Sequence, residues 1–102
     1  MARDPSTGEG AAGTPGAVEV ELYGLPRLLA GAERATVPAG TLAEVLRALA
    51  DALPGLRGGA LAGDRPSEHV RVAIDGRTIV DDPAAPIPPG SVLVMVSAQA
   101  GG

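Results

Sequence analysis

Apolar and polar residues alternate in residues 17–24, which predicts a strand with one buried face. The apolar side of this segment consists of Val18, Val20 and Leu22, and the opposite side of Glu19, Glu21 and Tyr23. Gly24 ends the pattern, and the segment LPRLLAGA follows as a connection. Residues 33–37 (ERATV) predict a second strand, stopped at Pro38. The two strands together indicate a hairpin with a long connection.

The spacing of apolar residues changes to three and four between Thr41 and Leu53, which predicts the main helix. Its apolar positions are Leu42, Val45, Leu46, Leu49 and Leu53. Thr41 and Glu44 have the spacing of a capping box, and Pro54-Gly55 stops the helix. The Gly-rich residues 55–68 predict an irregular segment from which Leu56 and Leu61 dock on the core.

The second half of the chain predicts three further strands. Residues 69–74 alternate again, with Val70, Val72 and Ile74 on one side and His69, Arg71 and Ala73 on the other. Asp75-Gly76 is typical of a type I′ turn, which makes residues 77–80 a short partner strand. A connection with four prolines (81–90) leads to the last strand, 91–97. Its continuous apolar run predicts a central strand covered on both faces.

The element order β-β-α-β-β-β predicts an α+β protein with one main helix packed on one face of a mixed sheet of four to five strands. This is the β-grasp, or ubiquitin-like, arrangement, in which the first and last strands pair in parallel at the centre. We expect a flexible leader over residues 1–16, the β-grasp domain over 17–97 and a flexible tail over 98–102.

The amino-acid composition disfavours some classes of partner and some locations. The 102 residues carry a net charge of −4 and a single aromatic residue, which disfavours nucleic acid and anionic membranes as partners. No apolar run approaches the roughly 20 residues of a membrane span, and no secretory signal is visible, so a cytoplasmic protein is expected.

Side-chain chemistry is sparse. The chain has no Cys, no Lys and one His, which excludes thiol nucleophiles, Schiff bases and a multi-His metal site. Asp81-Asp82 and His69 are interpreted as solvated or turn-capping groups. We therefore expect a protein that is not an enzyme, binds no metal and holds no cofactor of its own.

The last strand offers a candidate partner-binding surface. If Leu93 and Met95 face the helix, Val92, Val94 and Val96 face outward. Val94 and Val96 with Tyr23 would then form an apolar patch beside the tail, and such patches often bind partners. The alternative is that a central strand is simply apolar.

The segment Gln99-Ala100-Gly101-Gly102 offers the candidate reactive group. Glycine has no Cβ, so such a tail can enter a narrow channel and approach a reactive centre closely. If the Gly102 carboxylate were activated as an acyl-adenylate, a sulfur nucleophile could displace AMP and leave a thiocarboxylate.

These segments resemble the bacterial ubiquitin-like sulfur carriers, a family that includes the small subunit of molybdopterin synthase and the thiamine-pathway carrier. The resemblance covers about residues 17–102 and rests on VEVELYG, RLLAGAERATVPAGTLAEVLRAL, VRVAIDGRTIV and PPGSVLVMVSAQAGG. It implies that Gly102 is the residue thiocarboxylated and that Gly101 keeps the tail thin. It also implies three partners: a ubiquitin-activating-type adenylyltransferase using ATP and Mg²⁺, a cysteine desulfurase or rhodanese-type sulfur donor, and a downstream sulfur-accepting enzyme.

The pathway stays open between molybdopterin, cysteine and natural-product sulfur incorporation. The chain has Ser97-Ala98-Gln99-Ala100 where molybdopterin-type members have a Pro-Pro-Val-like segment, and the insert at 54–68 departs from the thiamine carrier. In a molybdopterin-synthase-like complex the chain would be the non-catalytic small subunit. Two alternatives remain: a ubiquitin-like modifier that is conjugated to lysines of other proteins, and an interaction module with an incidental tail.

Overall fold

The computed structural model describes residues 16–98. The predicted leader apart from Gly16, and the predicted tail apart from Ala98, lie outside these residues. Within the described range the elements are β1 (Ala17–Leu22), α1 (Leu25–Ala30), β2 (Arg34–Pro38), β3 (Gly40–Thr41), α2 (Leu42–Ala52), a 3₁₀ helix (Pro54–Gly58), β4 (Leu61–Ala62), β5 (Arg65–Pro66), β6 (Val70–Ile74), β7 (Thr78–Ile79), β8 (Pro86–Ile87) and β9 (Val92–Ser97).

The main sheet formed by residues 16–98 has five strands in the order β2-β1-β9-β6-β7. β1 and β9 pair in parallel, with Val20 opposite Leu93 and Leu22 opposite Met95. The other neighbours pair antiparallel. The mixed sheet with one main helix confirms the β-grasp prediction, including the parallel pairing of the first and last strands.

The helix α2 begins at the predicted capping box. The Glu44 amide donates to Thr41 Oγ1 at 3.2 Å, and the Thr41 amide donates to Glu44 Oε1 at 2.9 Å. These two bonds satisfy amides that a helix N-terminus leaves without backbone partners. The apolar face of the helix packs on the sheet.

The core lies between α2 and one face of the sheet. Its members on β1 and β9 are those that alternation places inward, and Leu56 from the 3₁₀ helix joins them as predicted. The largest fully buried side chains are Leu22, Leu42, Leu46, Leu49, Leu56, Ile87, Leu93, Met95, Val18, Val20, Val45 and Val72. The parity predicted for the strands is therefore confirmed.

The turn between β6 and β7 has the predicted geometry. Asp75 and Gly76 have φ of 54° and 71°, and the Arg77 amide donates to the Ile74 carbonyl at 3.0 Å. Positive φ at both central residues is what a type I′ turn requires. The Asp75 carboxylate also accepts from the Val92 amide at 3.0 Å, which ties the turn to the start of β9.

Three segments predicted as connections contain regular structure. Residues 25–30 form α1, with Pro26 in its first turn and Gly31 in the left-handed region at its end. The insert contains the 3₁₀ helix and the small β4–β5 pair, and the proline-rich connection contributes β8, which pairs with β3. Tertiary contacts decide these elements, since each is too short to carry a periodic signal.

The prediction that β9 is covered on both faces is wrong. Leu93 and Met95 are fully buried, whereas Val92, Val94 and Val96 are half-buried. The apolar run of β9 therefore reflects a covered inner face and an outer face that remains partly open to solvent.

Removing a buried leucine should cost far more than removing an exposed one. Leu46 in α2 is fully buried, and Leu28 in α1 is 80% exposed. We expect Leu46→Ala to lower the free energy of unfolding by about 2–5 kcal/mol, through lost burial and a cavity. The matched Leu28→Ala should change it by less than about 0.5 kcal/mol. Urea denaturation measures both, and equal losses would contradict this core.

Candidate functional site

An apolar groove lies on the outer face of the sheet, opposite the core. The strand register places Val94 of β9 beside Ala73 of β6, and Ala73 beside Ile79 of β7. Ile79 is 63% exposed, which is unusual for so large an apolar side chain in a sheet. Val96 extends the apolar surface toward the end of β9. We call this surface the outer groove; it has a volume of about 460 Å³ and is lined by Arg71, Ala73, Gly76, Arg77, Ile79, Val94, Val96 and Ser97.

The charged residues of the outer groove are both basic. Arg71 and Arg77 line it, and no carboxylate does. Among residues 16–98, no acid lies within salt-bridge distance of either arginine. The outer groove is thus a basic-rimmed apolar surface on a chain whose net charge is −4.

The opposite half of the outer face, on β1 and β2, is polar. Arg34 pairs with Glu19 at 3.5 Å, and the Tyr23 hydroxyl donates to Glu21 Oε1 at 2.8 Å. Tyr23 is 48% exposed and does not line the outer groove. The structure therefore brings Val94 and Val96 together and places the third predicted surface residue, Tyr23, outside the groove.

The hydrogen bond to the Glu21 carboxylate raises the pKa of Tyr23 above its ordinary value, and the negative charge of Glu21 adds to the effect. The shift favours the protonated phenol, which is the form that donates this hydrogen bond. Tyr23 is thus a hydrogen-bond donor beside the Glu21 carboxylate.

Six groove residues were absent from the sequence-based surface: Arg71, Ala73, Gly76, Arg77, Ile79 and Ser97. Alternation alone had placed Arg71 and Ala73 on the outward side of their strand. Ile79 and Arg77 required the pairing of β7 with β6, which a short strand after a tight turn does not reveal in sequence.

The end of β9 is held on both sides. The Ala98 amide donates to the His69 carbonyl at 2.8 Å, and Ser97 Oγ accepts from the Leu25 amide at 2.6 Å. The predicted reactive residue Gly102 and its neighbours Gln99, Ala100 and Gly101 lie outside the described residues. Ala98 is therefore the last described residue before that segment.

The remaining polar groups show no catalytic arrangement in the part of the chain that the structure describes. Asp82 Oδ1 accepts from the Ala84 amide at 2.9 Å and so stabilises a turn. His69 is exposed, and its Nε2 lies 3.7 Å from Glu68 Oε2. Over residues 16–98 no group of three potential metal ligands is found. No helix in the same range has the length and apolar content needed to cross a membrane.

Comparisons with known proteins agree on the fold. The sequence matches no protein-family model and no curated protein. SAMP1 from Haloferax volcanii is 23% identical with a TM-score of 0.71, covering 85% of this chain and all of that one. The small archaeal modifier protein 1 from Methanosarcina acetivorans is 18% identical with a TM-score of 0.66, covering 86% and 98%.

A chain of the Amycolatopsis orientalis BexX/CysO complex is 21% identical with a TM-score of 0.61, covering 83% of this chain and 99% of that one. The structural neighbours thus include archaeal modifier proteins and a protein complex containing CysO. At these identities the likeness is one of fold. The chain has the β-grasp, or ubiquitin-like, fold, and the predicted resemblance is confirmed at the level of that fold.

The Tyr23–Glu21 contact can be tested directly, because Tyr23 is the only tyrosine and the chain has no Trp. We expect Glu21→Gln to lower the pKa of Tyr23 toward the ordinary value of about 10, since the negative charge is lost. Ultraviolet absorbance of tyrosinate during an alkaline titration measures it. Glu68→Gln, on another part of the surface, is the control; an equal shift in both variants would contradict the contact.

Proposed function

We propose that this protein is a sulfur carrier that is adenylated and then thiocarboxylated at Gly102. The observation that carries the proposal is the position of β9. The sheet holds this strand up to Ala98, four residues before Gly102, and the outer groove begins at its last residue, Ser97. An apolar groove therefore adjoins the last described residues before Gly102, and this arrangement supports the proposal.

The chemistry takes place at the carboxylate of Gly102. A carboxylate oxygen attacks the α-phosphorus of ATP, pyrophosphate leaves, and an acyl-adenylate forms. Hydrosulfide then attacks the carbonyl carbon; the new C–S bond replaces the C–O bond to AMP, and AMP leaves. ATP and Mg²⁺ belong to the activating enzyme, and this chain contributes only the carboxylate. In this proposal the chain acts as a protein cosubstrate.

The outer groove is the proposed docking site for the ubiquitin-activating-type adenylyltransferase. Four residues of extended chain reach at most about 14 Å, so the active site that receives Gly102 must lie close to the end of β9. An apolar surface at that position, rimmed by Arg71 and Arg77, fits a partner surface that presents apolar side chains flanked by carboxylates. Val94, Val96 and Ile79 supply the apolar contact.

The second candidate is a ubiquitin-like modifier that forms isopeptides with lysines of other proteins. The observation that favours it is the likeness to the small archaeal modifier proteins. Both functions begin with the same adenylate. Since the chain has no Lys, it offers no side-chain amine for conjugation to itself.

The proposed carrier would pass its sulfur to a biosynthetic enzyme in molybdopterin, cysteine or natural-product synthesis, after loading from a desulfurase or rhodanese-type donor.

Intact mass distinguishes the two candidates. The protein is incubated with its adenylyltransferase, ATP, Mg²⁺ and sulfide. We expect a gain of about 16 Da, because one carboxylate oxygen is replaced by sulfur. The variant lacking Gly101 and Gly102 should show no gain. Conjugates of higher mass in lysate, without the gain of about 16 Da, would favour the modifier.

A charge placed in the outer groove should weaken activation without unfolding the domain. We expect Ile79→Glu to raise the adenylyltransferase KM for this protein about tenfold or more, since it buries a carboxylate in an apolar interface. Ile79 is exposed in the free protein, so folding is retained. Leu28→Glu, an exposed leucine on α1 outside the groove, is the matched control. Equal KM values for the two variants would rule out the groove as the docking site.

A further inference from the structure

The last strand ends in a long-range side-chain contact. Ser97 Oγ accepts from the amide of Leu25 at 2.6 Å, across 72 positions of sequence. Leu25 begins α1, where a helix leaves its first amides without backbone partners. The Ser97 hydroxyl therefore caps the N-terminus of α1. A side chain next to the helix in sequence normally fills this role. Breaking the contact would leave the Leu25 amide without this partner.

Gly24 makes room for that hydroxyl. Its φ of 63° and ψ of −131° lie in a region that only glycine adopts readily. A Cβ on Gly24 would overlap Ser97 Oγ and lie 3.3 Å from Ser97 Cβ. The backbone at Gly24 thus leaves space for the Ser97 side chain, which packs against Gly24 and is bonded to Leu25.

The other side of β9 is held by β6. Ser97 pairs with Val70, and the Ala98 amide donates to the His69 carbonyl at 2.8 Å. The terminal residues of strands commonly open first, because they have few neighbours. Here the last residue of β9 has a partner on each side, and the chain beyond it starts from a defined position.

We infer that Ser97 is a positioning residue, which fixes the point from which the Gly102 segment leaves the domain. The inference rests on the proposed function. A segment of four residues has little length with which to correct a misplaced starting point. Orientation at a reacting centre strongly affects rate, so a starting point that moves lowers the fraction of productive encounters. Ser97 would therefore act on the rate of adenylation, through the backbone that it holds.

Ser91, the residue before the start of β9, provides a matched control. Its Oγ donates to the Pro88 carbonyl at 2.6 Å, so Ser91→Ala also removes one side-chain to backbone hydrogen bond. Ser97→Thr keeps a hydroxyl at the position under test. The three variants are compared with the unchanged protein by amide hydrogen exchange and by steady-state adenylation kinetics.

We expect amide exchange at Leu25 to be about tenfold faster in Ser97→Ala and unchanged in Ser91→Ala, since only the first removes its acceptor. In the kinetics, Ser97→Ala should lower kcat about three- to tenfold. Ser97 lines the outer groove, but its hydroxyl is bonded to the Leu25 amide and Ser97→Ala retains the groove's apolar side chains, so KM should stay within about twofold. Ser97→Thr should restore most of the kcat.

Two outcomes would overturn the role of Ser97 alone: unchanged exchange at Leu25 in Ser97→Ala, or an equal fall in kcat for Ser97→Ala and Ser91→Ala. A different outcome overturns the proposed function. If the unchanged protein gains no mass with adenylyltransferase, ATP and sulfide, the proposed function is wrong. The role of Ser97 in activation is then wrong as well. Exchange at Leu25 then still decides whether the contact holds the end of β9.

Discussion

The parallel pairing of β1 and β9 is the contact on which the rest of the domain depends. Parallel neighbours cannot be joined by a tight turn, so everything between Leu22 and Val92 must form the crossover. The helix α2, the β2 hairpin and the β6–β7 hairpin all lie within it. Val20 and Leu93 are fully buried where the two strands meet, and the core grows around that central pair.

One consequence is that the sheet has two unlike faces. The inner face is filled by the apolar stripe of α2, and the burial of β9 alternates accordingly. The outer face is divided: β1 and β2 carry paired charges, and β9, β6 and β7 carry apolar side chains between two arginines. An apolar groove with a basic rim is a surface that a partner can cover, and its position at the end of β9 gives the proposed docking a physical basis.

The other consequence concerns the end of the last strand. A central strand has neighbours on both sides to its last residue, and here β6 and the Gly24–Leu25 corner both hold it. The segment that follows carries the proposed reactive carboxylate at Gly102. The proposed role as a protein cosubstrate requires a rigid body, a surface for the partner to recognise and a fixed starting point for the reactive end.

Much of this could be predicted from the sequence. Alternation placed Val18, Val20 and Leu22 inward, the three- and four-residue spacing located α2, and Thr41 with Glu44 marked its beginning. These patterns are local, because burial of one face imposes a period on each element. The chemistry was limited in the same way, since a chain without Cys or Lys and with one His has few reactive groups to offer.

What only the tertiary structure decided depends on contacts between distant segments. The register of β6 and β7 brought Ile79 and Arg77 to the groove and left Tyr23 outside it, and no local period encodes a register between strands. The open outer face of β9 could not be told from a covered one by its apolar run. The contact of Ser97 with Leu25 joins two residues whose own surroundings in sequence show no sign of it, because only the completed sheet brings them within hydrogen-bonding distance.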